Sequence, residues 1–213
     1  VALEEDGTLH LCRGLWFGFL AIRARVVIEG EGAESTVLSG GETATILQVS
    51  GEGNRLEVRD LTLDRGAAPA EDGNSGSGGA LRCLEGSEVL IERAVISNNT
   101  GYDGAGVFGR DGCDIEVHET DFLNNRSLDD GGAFRVNRGR ATLVDTRFIG
   151  NAAKDGGGLI FHESEVLVEG CHFEDNFSTD SQGGAILQYF GPLTVRDTTF
   201  VANHSLVWGG ALS

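Results

Sequence analysis

A pair of glycines, or a Gly-Ala-Gly variant of it, returns every 25 to 27 residues through the second half of this chain. It stands at Gly78-Gly79-Ala80, Gly104-Ala105-Gly106, Gly131-Gly132-Ala133, Gly156-Gly157-Gly158, Gly183-Gly184-Ala185 and Gly209-Gly210-Ala211. A second mark keeps step with it: Phe122-x-x-Asn125, Phe148-x-x-Asn151, Phe173-x-x-Asn176 and Phe200-x-x-Asn203, with Ile96-x-x-Asn99 as a weaker copy. A fixed period of this length means a stacked array, in which each unit buries its apolar face only against its neighbours.

Inside each repeat the apolar residues fall at strand spacing. Counting back from the aromatic anchor gives Ile115, Val117, Thr120 and Phe122, then Ala141, Leu143, Thr146 and Phe148, then Val166, Val168, Cys171 and Phe173, then Leu193, Val195, Thr198 and Phe200. Steps of two are strand steps, and the single step of three marks a corner. Helical periodicity is absent. The period predicts an all-β right-handed parallel β-helix of about seven coils, roughly 34 Å of stack at the inter-strand spacing. In that fold Asn99, Asn125, Asn151, Asn176 and Asn203 form an internal structural ladder of side-chain amides, and glycine serves a corner needing positive φ or close backbone approach.

The whole is one continuous domain. Residues 1–77 supply the N-terminal coils, and residues 78–213 supply five GGA/F-x-x-N coils and the start of a sixth. Leu56, Val58, Leu61 and Leu63 fit the repeat template, and Leu20, Ile22 and Val27 fit it loosely, with Arg25 in a slot meant for an apolar residue. Residues 66–77 (GAAPAEDGNSGS) read as a surface loop between coils. The absence of methionine and the newly opened coil at Gly209 to Ser213 lead us to expect a segment of a longer protein.

A formal net charge of −17 disfavours nucleic acid and anionic membranes as partners, and no run of 18 apolar residues exists to span a bilayer. The four cysteines occupy different repeat positions. Cys171 replaces the threonine of its neighbours and is expected as a buried thiol. Cys83 and Cys113 are four positions out of register in adjacent coils, on the order of 13 Å at strand rise and beyond disulfide reach.

The paired marks GGAL at 78, GGAF at 131, GGAI at 183 and GGAL at 209, with FLNN, FIGN, FEDN and FVAN, resemble the repeats of the polymorphic outer-membrane proteins. The opening stretch from Asp6 to Leu63 looks like the first coils of the broader pectin-lyase-like group. The first resemblance implies a surface-exposed β-helical passenger serving adhesion at the bacterial outer membrane. The second implies that any enzyme on this fold acts on polysaccharide, as a lyase, hydrolase or epimerase.

Candidate chemistry is sparse. Asp103, Asp130 and Asp155 each precede a glycine pair and should stack, repelling one another unless a cation such as Ca²⁺ bridges them. Asp129-Asp130 otherwise reads as a solvated turn. No catalytic residue is assigned. The strand after each glycine pair should present outward Arg82/Leu84, Phe108/Arg110, Arg135/Asn137, Ile160/His162 and Leu187/Tyr189. Within that stripe Arg82, Phe108, Arg110, Arg135, His162 and Tyr189 form a candidate ligand surface, with forked donors for carboxylates and ring faces for sugars. Two functions stay open. One is a non-catalytic secreted or cell-surface scaffold for adhesion or display, with a polysaccharide or host-surface ligand. The other is a polysaccharide lyase- or epimerase-like enzyme or a glycan-binding module, which should show three or more carboxylates, or carboxylates with an arginine, packed together on one face.

Overall fold

A computed structural model describes residues 1–68, 76–180 and 182–213. Among them the chain is all-β, wound so that successive coils lie in parallel. Three sheets of eight strands run the length of the stack, and a fourth, of five short strands, begins at Thr100. One coil shows the pattern: Val107–Arg110 lies in the first sheet, Asp114–His118 in the second, Asp121–Leu123 in the third and Arg126–Ser127 in the fourth.

Register follows the repeat. Ile115 pairs with Ala141 and Ala141 with Val166, while Phe122, Phe148, Phe173 and Phe200 align through the third sheet. These phenylalanine rings stack face on face with centroids 4.8, 4.7 and 5.1 Å apart. The inward residues of the central coils are fully buried, and Thr120 and Thr146 with them. The step of three is a corner in which Glu119 and Asp145 take left-handed φ values of 47° and 49°.

The asparagines form a continuous hydrogen-bonded ladder. Each Nδ2 donates to the Oδ1 of the next coil: Asn99 to Asn125 at 2.9 Å, Asn125 to Asn151 at 3.0 Å, Asn151 to Asn176 at 3.0 Å and Asn176 to Asn203 at 2.8 Å. The same Oδ1 also accepts the backbone N–H of the preceding asparagine, and each Nδ2 also donates to the carbonyl of an earlier coil, such as Asn151 to Phe122 O at 3.0 Å. No amide atom in the ladder's interior is left unpaired, as a buried polar side chain requires. The first glycine of each pair has positive φ (51° at Gly104, 60° at Gly131), and a side chain on the second would collide with the backbone of the neighbouring coil, Gly132 against Gly157.

Three expectations are corrected. In the second coil the inward residues are Val26 and Ile28, paired with Leu56 and Val58, while Val27 faces out opposite Glu57. Its anchor is Leu38, in register with Leu63. The extra residues from Gly30 to Ser35 lengthen that corner and carry the anchor on to Leu38, so a template that ends on Val27 falls one sheet early and sets that residue inward. The segment 66–77 is not a loop throughout: Gly66 and Ser77 are buried, Ala67 bridges to Thr100, and Gly66 N–H donates to Asn99 Oδ1 at 2.7 Å, capping the ladder. Residues 69–75 lie outside the described residues.

Cys83 and Cys113 are joined in a disulfide, with Cα atoms 6.0 Å apart. Cys83 pairs in register with Gly109, and the chain then turns a corner through Asp111 and Gly112, both at positive φ, before reaching Cys113. Four residues spent in a corner do not extend 13 Å. Gly109 has no side chain, and a Cβ placed there would lie 2.6 Å from Ile115 Cδ1 and 3.5 Å from Cys113 Cβ, so the corner closes tightly over that bare position. Cys171 is buried beside the Leu143 and Glu169 carbonyls, and burial pushes its thiol up to about 11.

Candidate functional site

The first sheet carries the residues singled out as a ligand surface, and the structure divides them into two rows. The inner row is Arg82, Phe108, Arg135, Ile160 and Leu187, aligned strand to strand. The turn holding each glycine pair folds over it: a Cβ on Gly131 would meet Ile160 Cγ2 at 2.9 Å, and one on Gly183 would meet Leu187 Cβ at 2.8 Å. Arg82 and Phe108 are therefore 2% and 5% exposed, and neither faces solvent as expected. Arg82 Nε donates to the Ser77 carbonyl. The outer row, Leu84, Arg110, Asn137, His162 and Tyr189, reaches the surface from Arg110 onward. Arg110 turns to Asp111 at 3.2 Å.

Arg135 explains the aspartates. Asp103, Asp130 and Asp155 follow one another in register: Gly104 N–H donates to Asp130 O, Gly131 N–H to Asp155 O, and Asp130 and Asp155 form a parallel bridge. Arg135 Nη1 lies 2.6 Å from Asp103 Oδ1 and 2.7 Å from Asp130 Oδ2. The cation between the stacked carboxylates is thus a guanidinium of the chain itself. Ser77 Oγ and the Asp130 N–H complete the shell of Asp103 at 3.3 Å each. Asp129 turns the other way, to Lys154 Nζ at 3.2 Å. Asp129, half-buried and paired with an exposed lysine, keeps much of the expected solvated turn, whereas Asp130 is drawn inward by Arg135.

Carboxylate oxygens of Asp103, Asp129 and Asp130 come within 4.8 Å of one another, an oxygen set of the kind Ca²⁺ takes. Crowding leaves its mark on proton affinity. Burial raises the Asp130 carboxyl to about 6 against the pull of Arg135, with Asp103, Asp129 and Asp155 adding repulsion. Burial also raises Asp103, again opposed by Arg135. Three carboxylates and an arginine on one face are the feature that an enzyme was expected to show.

One exposed group escaped the sequence reading. Phe190 is 74% exposed at φ 59°, on the left-handed corner after the first sheet, where other coils place Glu85, Asp111, Arg138 and Glu163. Its ring and that of Tyr189 flank His162, at centroid distances of 5.9 and 6.2 Å. An aromatic residue breaking a row of charged ones was the available signal.

A parallel stack of short strands around an apolar and asparagine-lined interior, with a polar outer face, defines the chain as a β-solenoid. The family model for a right-handed beta helix region matches residues 45–211, so the chain belongs to the right-handed β-helix family. No curated protein and no solved structure matched it.

Proposed function

We propose that the chain is a non-catalytic β-helical segment of a secreted or cell-surface protein, working as a rigid scaffold for display and adhesion. The observation that carries this reading is the bridge from Arg135 to Asp103 and Asp130. It spends two carboxylates of the three-aspartate cluster found among the described residues on locking successive coils together, with side chains only 11% and 21% exposed. Ion pairs elsewhere do the same between neighbouring coils, Arg55 to Glu88 at 3.0 Å, Arg93 to Asp60 at 2.8 Å and Arg140 to Asp114 at 3.3 Å among them. The Cys83–Cys113 disulfide supports an oxidising, extracellular location, since such bonds rarely persist in the cytosol. The GGA and F-x-x-N marks support a place at a bacterial outer membrane. A polysaccharide or a host-surface molecule is the partner this reading implies. No helix among the described residues is long and apolar enough to cross a membrane.

One observation favours a second reading. A carboxyl titrating near 6 beside two others has the proton affinity of a general acid, which a polysaccharide lyase- or epimerase-like enzyme or a glycosidase would use. Incubation with polygalacturonate and alginate, followed by ultraviolet absorbance of unsaturated ends and by reducing ends, separates the two. The scaffold reading expects no turnover. Turnover that Asp130→Asn abolishes would replace it with the enzyme reading.

A further inference from the structure

We infer that the cavity beside Arg126, at the first two strands of the fourth sheet, is a docking site for an acidic peptide segment that carries an apolar side chain next to its carboxylate. The proposal deepens the display reading by naming a partner class, and it rests on the chain binding that partner rather than transforming it.

Arg126 differs from other arginines inside the stack. Arg93 is spent on Asp60, Arg135 on Asp103 and Asp130, and Arg147 on Asp121. Arg126 is exposed and makes no ion pair among the described residues, in a chain of net charge −17. Its partners in register are Thr100 on one side and Ala152 on the other, and neither carries charge. This is not the exposure of a terminal coil, because Thr100 is bridged in turn to Ala67 and coils lie on both sides. A guanidinium left without a carboxylate in so acidic a chain offers its forked donors to one from outside.

The cavity measures about 350 Å³, and its walls include Ala68, Thr100, Tyr102, Arg126, Ser127 and Leu128. Leu128 is 71% exposed and Tyr102 40%, so two large apolar surfaces share one concavity with the unpaired cation. Scattered apolar side chains on a surface are ordinary, whereas apolar walls that converge with a single charged group are the usual make-up of a binding pocket. The remaining polar groups of the wall are largely engaged. Ser127 Oγ donates to the Gly131 carbonyl and accepts the Ala105 N–H, both at 2.9 Å. Tyr102 N–H donates to the Gly76 carbonyl at 2.8 Å, Leu128 N–H to the Gly101 carbonyl at 2.9 Å, and the Thr100 carbonyl accepts Ala68 N–H at 3.1 Å. The Asp129 charge, with a hydrogen bond from the phenol, occupies the Tyr102 hydroxyl and raises its pKa. The Arg126 guanidinium and the Thr100 hydroxyl are thus what the side chains leave for a ligand. A sugar would bring several hydroxyls to a wall with few partners for them, and each one left unpaired costs affinity. An aspartate or glutamate beside a leucine or phenylalanine needs only the guanidinium and the apolar wall.

The test titrates the protein with the capped tetrapeptides Gly-Leu-Glu-Gly and Gly-Phe-Asp-Gly by calorimetry and by amide NMR. Gly-Leu-Gln-Gly and Gly-Gly-Glu-Gly serve as controls, and glucuronate and N-acetylneuraminate form a separate sugar arm. At least one acidic-apolar peptide should bind at millimolar concentration, shift the amides of Thr100 to Tyr102 and of Arg126 to Leu128, and weaken in high salt. Removing its charge or its apolar side chain should weaken it about tenfold, and Arg126→Gln should do the same from the protein's side. Leu128→Ser should weaken it several-fold, and Arg147→Ala on the third sheet should leave it unchanged. Far-ultraviolet circular dichroism and melting temperature check that each variant keeps its stack. Binding of neither acidic-apolar peptide, binding of the acidic sugars alone, or binding indifferent to Arg126→Gln in a folded variant overturns the site. Any of these results leaves the non-catalytic reading standing, since that reading is judged by turnover of polysaccharide.

Discussion

Arg135 occupies a place where sequence alone expects either repulsion or a metal ion. Its guanidinium neutralises Asp103 and Asp130 with a donor fixed by the adjoining strand. Arg135→Ala should therefore cost on the order of 2 kcal/mol in urea unfolding, less than a fully buried pair, because both carboxylates keep some solvent. The freed oxygens should then take Ca²⁺, so added Ca²⁺ should raise the melting temperature of Arg135→Ala far more than that of the unsubstituted protein. An equal response in both would mean that the guanidinium does not fill the cation's place. Proton linkage provides a second check. Asp130 titrates near 6 in the fold and near its ordinary 3.8 when unfolded, so the folded state binds the proton more tightly. This group's contribution to stability must rise as pH falls from 7.5 through 6 towards 4.5. Melting curves of the Asp130→Asn protein should lack that rise, relative to the unsubstituted protein in the same buffers.

The recurring element is a short strand closed by a corner, and its markers have separate physical duties. Phenylalanine fills the third-sheet interior by stacking, asparagine satisfies the turn backbone that follows, and the glycine pair lets the next turn fold over the outer face of the first sheet. Asn151→Ala would strand the Asn125 side-chain and backbone donors, the Phe122 carbonyl and part of Asn176 inside the stack. At 1–3 kcal/mol for each buried unsatisfied group, a loss of about 3 kcal/mol or more in urea unfolding is expected. A loss under 1 kcal/mol would show that water replaces the amide and that the ladder contributes little. The second coil shows the limit of pattern reading at this scale. Val27 looked inward by spacing and points outward, because an inserted corner is invisible until the neighbouring strand fixes the register.

Stability in a solenoid accumulates from nearest-neighbour contacts, so a covalent bond between adjacent coils matters more here than its single link suggests. Cys83 and Cys113 close a sequence separation of 30 residues, for which the chain-entropy estimate is about 3–4 kcal/mol. Cys83→Ser with Cys113→Ser should lower the guanidinium midpoint accordingly, and dithiothreitol should do the same to the unsubstituted protein but nothing further to the double variant. A non-reducing peptide map of protein from whole cells lysed in a thiol-blocking reagent should contain the Cys83–Cys113 linked peptide. Finding both thiols free there would count against the extracellular location.

The repeat alone settled the architecture, because a period of 25 to 27 residues with strand-spaced apolar positions leaves one way to bury them, and the asparagine ladder follows from stacking identical coils. What the tertiary structure decided lies wherever coils differ or the chain turns. The disulfide depended on how a corner between Gly109 and Cys113 shortens the path, and the burial of Arg82 and Phe108 on a turn folding over them. The capping of the ladder by Gly66 and the clamping of Asp103 and Asp130 by Arg135 depended on contacts between neighbouring coils. Spacing along the chain carries the distances within a straight strand. It does not carry those across a corner, which are fixed only when the next coil has been laid against it.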